Sequence, residues 1–65
     1  MVTRVVLDPR RDPLDGRYAV RILDDRDGVE LDSVGWADTL EAALAEARGQ
    51  LESGWVVVDV LELQP

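Results

Sequence analysis

Sixty-five residues make one small domain, and a chain of that size buries only about 60% of the surface it exposes when unfolded. Cysteine and histidine are both absent, which excludes a disulfide framework, thiolate metal sites and the commonest general base. The net charge of −7 opposes binding to a phosphate backbone.

All seven basic residues are arginine, and asparagine, lysine and phenylalanine do not occur, as a GC-rich genome or salt adaptation would give. The charge is unevenly spread. Over residues 1–23 five arginines face three aspartates, for +2, whereas residues 24–65 carry eleven acids and two arginines, for −9. No apolar run approaches the roughly 18 residues of a membrane span, and the amino terminus shows no signal-peptide pattern. A cytoplasmic protein without direct nucleic-acid or membrane contact is the expectation.

Thr3 to Leu7 reads as a first strand, stopped by Asp8-Pro9. Asp8 to Gly16 holds two prolines and an Asp-Gly pair, the composition of a loop or wide hairpin connection. Arg17 to Leu23 alternates: Tyr18, Val20 and Ile22 share one face, Arg17, Ala19 and Arg21 the other, as in a half-buried strand. Asp24-Asp25-Arg26-Asp27-Gly28 is a turn, and Val29 to Val34 returns as a third strand. Gly35 and the change of phase to Val34 and Trp36 predict a bulge or bend.

Asp38-Thr39-Leu40-Glu41 has the form of a capping box, with Asp38 accepting from the Glu41 amide. Leu40, Ala43, Leu44, Ala47 and Leu51 recur at three- and four-residue spacing, which predicts an amphipathic helix terminated by Gly54. Trp55 to Leu63 is the final strand. Strict alternation places Val56, Val58 and Val60 on its core face, and Trp55, Val57, Leu61 and Leu63 on the other, interrupted by Asp59. A strand apolar on both sides needs cover on both sides. The chain contains no recognisable internal repeat, low-complexity segment or linker.

The cluster Asp24, Asp25, Asp27, Gly28 and Asp32 fails as a calcium loop. Gly28 at the sixth position puts Leu23 first and Val34 twelfth, where carboxylates are required. Asp8, Asp12 and Asp15, and the pair Glu41 and Glu46, belong to a loop and a solvent face, which do not separate carboxyl pKa values. Ser33 and Ser53 have no base to activate them. No catalytic, cofactor-binding or metal-ligating residues are therefore assigned; an enzyme would need an unexpected dyad such as Asp32 with Asp59. Trp36 reads as core, and Trp55 reads equally as core or as an exposed anchor. Arg4, Arg17 and Arg21 are expected to pair across strands with Asp32 and Asp59.

The strand–strand–strand–helix–strand order, with Asp-Gly before the third strand and Asp38, Thr39, Glu41, Ala43 and Leu44 opening the helix, resembles the HicB-type antitoxin domain. In that family's Gly-Asp-Thr-x-Glu-Glu-Ala-Leu pattern, Ala37 and Ala42 stand here for the glycine and the second glutamate. The resemblance implies a small β-β-β-α-β fold. It also implies a non-catalytic protein that neutralises a small basic ribonuclease, often as a dimer or tetramer.

The expected fold is α+β, an antiparallel sheet of about four strands with one helix on one face. Its core is expected to be Val5, Leu7, Tyr18, Val20, Ile22, Leu31, Leu40, Leu44, Ala47, Leu51, Val56, Val58 and Val60. The expected function is non-catalytic protein binding, antitoxin-like, with a small basic protein partner or a second copy as a homo-oligomer and with no cofactor. Trp55, Val57, Asp59, Leu61 and Leu63 are the candidate contact residues. The alternatives are an acidic, phage-encoded inhibitor that imitates nucleic-acid phosphates, and a small structural dimer.

Overall fold

The computed structural model describes residues 2–63. Its elements run β1 (Thr3–Arg11), β2 (Tyr18–Asp24), β3 (Glu30–Ala37), α1 (Leu40–Gly49) and β4 (Trp55–Val60). They form a small α+β domain with a four-stranded sheet in the order β3-β2-β1-β4 and one helix. β1 pairs antiparallel with β2, and β2 with β3, as their short connections require. β4, however, pairs parallel with β1, so the sheet is mixed and not wholly antiparallel. The helix is the cause. It carries the chain back along the sheet, so β4 starts in the direction of β3, which is also the direction of β1.

β1 is longer than Asp8-Pro9 suggests, because the proline falls where it breaks nothing. The amide of Asp12 donates to Arg17 and that of Asp25 to Arg4, so the even-numbered residues of β1 make the hydrogen-bonded pairs with β2. Pro9 lies opposite Val20 in a non-bonded pair. Its nitrogen faces the side of β4, whose pairing ends at Leu7.

The two hairpin connections are built alike. Asp12-Pro13-Leu14-Asp15-Gly16-Arg17 and Asp24-Asp25-Arg26-Asp27-Gly28-Val29 share the pattern Asp-x-x-Asp-Gly-x, so one loop chemistry is used twice. In each, the first aspartate side chain accepts from the amide two residues on, Leu14 or Arg26 (2.8 and 2.9 Å). The second accepts from Arg17 or Val29 (2.9 and 3.0 Å). Gly16 and Gly28 both stand at φ 73°, in the left-handed region that makes glycine necessary there.

The helix is capped one residue later than the sequence suggests. Thr39, not Asp38, is the N-cap, and its hydroxyl accepts from the Ala42 amide (3.1 Å). The helix ends at Gly49, and the Gln50 amide donates back to Glu46 and Ala47. Gly54, at φ 89°, shapes the turn into β4 and does not terminate the helix. Ala43 and Ala47 are the buried helix residues, and their small side chains let the helix lie close to the sheet. It lies over β2 and β3, touches β1, and does not approach β4.

The core consists of Val5, Leu7, Val20, Ile22, Val34, Ala37, Ala43 and Ala47. Tyr18, Leu44, Leu51, Trp55, Val57 and Val60 are only partly buried against it. Leu40 is half-buried, and Leu31, expected inside, is exposed at an irregularity in β3 opposite Ile22 and Leu23. Val56 and Val58, also expected inside, are 48% and 40% exposed. No helix among the described residues is long and apolar enough to cross a membrane.

Candidate functional site

Besides the irregularity at Leu31, two β-bulges decide which side chains the sheet presents. In β4 the pairing moves from Val5 opposite Val57 to Val6 opposite Asp59, so Val58 is an extra residue. Strict alternation would have sent Asp59 to the core side of the sheet. The bulge turns Asp59 outward and brings Val60 inward. Trp55, Val57 and Val60 therefore pack against the core, while Val56, Val58 and Asp59 face away from the helix. This corrects the face assignment of Trp55, Val57, Val56 and Val58 read from alternation. Leu61 is 40% exposed and its amide donates to the Leu7 carbonyl (2.9 Å); Leu63 is half-buried beyond the strand. The five candidate contact residues thus lie along one margin of the sheet but divide between its two faces.

The second bulge lies in β3, where the sequence predicts one. Tyr18 pairs with Ala37 and Val20 with Val34, so Gly35 and Trp36 together oppose Ala19. Ala37 enters the core in place of Trp36, and the indole, read from sequence as core, is 53% exposed on the open face. It borders a groove of about 370 Å³ with Ala19, Arg10, Arg21, Ser33 and Gly35.

Beside that groove, Asp8 is buried between two arginines. Its Oδ2 accepts from Nε and Nη2 of Arg21 (3.1 and 2.6 Å) and from Nε and Nη2 of Arg10 (3.1 and 3.0 Å). Arg21 lies directly opposite Asp8 in the antiparallel ladder, and Arg10 is two residues along the same face. The expected partners of Arg21, Asp32 and Asp59, are not its partners. Asp59 opposes Val6, and Asp32 accepts from the Ser33 amide. Arg17 instead reaches Asp38 at 3.6 Å, an exposed pair. Asp32 and Asp59 sit on opposite edge strands, so they form no dyad.

Among the described residues, the outer edge of β4 meets no further strand. In a parallel ladder, the bonds from Thr3 to Gly54 and from Leu61 to Leu7 leave the amides and carbonyls of Val57 and Val60 pointing away from β1. An apolar strand with a free row of donors and acceptors is a template for another strand. Among the described residues, no group of three or more acids is arranged to hold a metal ion.

The cluster of Asp8, Arg10 and Arg21 was legible in principle. Val5, Leu7 and Pro9 alternate with Val6, Asp8 and Arg10 straight through the apparent strand breaker. No family model matches the chain, and no curated protein or solved structure does either.

Proposed function

We propose that this chain is a non-catalytic protein-binding module that takes a strand or an apolar segment of its partner along β4. The observation that carries this reading is β4 itself: a marginal strand, apolar on both sides, distant from the helix, with an unpaired outer edge. Main-chain bonds to Val57 and Val60 would supply affinity, and the exposed Val56, Val58 and Leu61 would supply selectivity. The net charge of −7 favours a basic partner by steering its approach. The β-β-β-α-β order supports an antitoxin-like role. A phosphate mimic gains less support, because Asp12, Asp15, Asp24 and Asp27 accept from backbone amides of their own turns.

The test is affinity capture from lysate of the source organism at low and high salt, with Leu61→Asp in parallel. A stoichiometric basic protein that survives high salt, and binds Leu61→Asp at least about tenfold more weakly, is the expected result. Equal capture by Leu61→Asp overturns the reading. The variant should still fold, because Leu61 is exposed and only its backbone amide bonds to β1.

A further inference from the structure

We propose, resting on the β4-edge reading above, that the strand taken up by β4 is an extended segment of a different protein. It carries one basic residue, held by Asp59, between apolar residues.

Asp59 is the one charge of β4. The bulge at Val58 sends it to the open face opposite Val6, with the exposed Val58 before it and the exposed Leu61 beyond. Among the described residues its charge is uncompensated. Arg10 and Arg21 hold Asp8, Arg26 holds Asp24, and Arg17 reaches Asp38. Arg4 shares the open face but stands opposite Val56, and no ion pair joins it to Asp59. A strand laid along β4 would bond to the outward amides and carbonyls of Val57 and Val60, the residues that bracket Asp59. It would bring one of its own side chains beside that carboxylate, at the roughly 5 Å of a cross-strand pair.

The same edges disfavour a second copy. The sheet ends on β3 and β4, and neither strand contains an arginine. The arginines of the sheet all stand on the two middle strands, β1 and β2. Edge-to-edge pairing of two copies therefore brings only acids to the junction: Asp59 through β4, or Glu30 and Asp32 through β3. β3 is also broken by two irregularities, and Asp32 opposes the core residue Ile22. Irregularities and inward charges are how natural edge strands are closed to pairing. β4 is guarded only by its single bulge and by Asp59. That carboxylate repels acidic strands, those of its own kind included, and admits basic ones. The net charge of −7 acts in the same direction.

Selection of a display library of random peptides of about nine residues on the immobilised full chain tests this. The expected result is a set of apolar, β-branched sequences with arginine or lysine at one fixed position. Attraction by net charge alone would scatter basic residues along the peptide. In a selected peptide made synthetically, serine at that position should weaken binding about threefold to fivefold. N-methylation of the amides that face β4 should abolish it. Asp59→Arg should bind the peptide at least about tenfold more weakly, and should bind its glutamate version better than the wild-type chain does. Asp59 is exposed, so the circular dichroism of that variant should be unchanged. Selected peptides without a fixed basic position, or an unaltered preference in Asp59→Arg, overturn the inference. If such peptides still lose binding to Leu61→Asp, the β4-edge reading stands without it; if Leu61→Asp binds them equally, both fall. A library that yields no binder also overturns the inference, and the lysate capture then decides the edge reading alone.

Discussion

Asp24 shows how much one side chain does in so small a domain. It closes the second hairpin by accepting from the Arg26 amide, and the Arg26 guanidinium returns to it with Nε at 3.3 Å and Nη2 at 3.1 Å. Those side-chain hydrogen bonds, with the backbone bond second, hold its carboxyl below the ordinary carboxylate pKa. A lowered pKa means that the stabilisation is present above the unfolded value and fades as pH falls through the folded one. Asp24→Asn is therefore expected to melt below the wild type at neutral pH. The two melting curves should converge once the pH is well into the acid range; a constant gap across that range would refute the argument. The same residue explains part of the acidic composition. Four aspartates in two Asp-x-x-Asp-Gly-x loops accept from nearby backbone amides, so they shape turns before they contribute surface charge.

Among the elements, the helix and the two bulged strands behave differently under sequence reasoning. The helix was legible from its three- and four-residue spacing, but its contact line is alanine, not leucine. Ala43 and Ala47 are wholly buried, while Leu40 and Leu44 are half-covered at the flanks. Space is thus scarce beneath the helix. Ala43→Leu should cost about 1–3 kcal/mol by overpacking, measured by urea denaturation; an unchanged midpoint would mean that the helix rides higher on the sheet. The strands were legible as elements and misjudged as faces. Periodicity assigns sides by counting in twos, and each bulge adds one residue that the count does not know about. Hence Trp36 and Val58, read as interior, lie outside; Val57, placed on the outer face by alternation, lies partly inside, and so does Trp55, which reads from sequence equally as core or as an exposed anchor. Gly35 marked the β3 bulge; Trp55-Val56-Val57-Val58 carries no such mark.

For the whole molecule, the antiparallel meander followed from short connections, and the parallel fourth strand did not, because only the path of the helix sets its direction. The candidate margin was found in sequence through β4's unusual apolarity. The cluster of Asp8, Arg10 and Arg21 escaped because its pairing depends on the register of β1 and β2. That sheet order also bears on how the chain folds. β1 lies between β2, its neighbour in sequence, and β4, about fifty residues away, so closing the second pairing restricts far more of the chain than closing the first. Local pairing of β1, β2 and β3 under the helix should form the transition state, with β4 joining afterwards. Val60→Ala, which should cost about 1 kcal/mol, is then expected to accelerate unfolding and leave refolding nearly untouched in stopped-flow measurements. Val20→Ala, in the middle of the meander, should slow refolding; equal effects of both on refolding would place β4 in the nucleus. The strand available to partners would then also be the one that detaches first, so a bound partner would slow the unfolding of the entire domain.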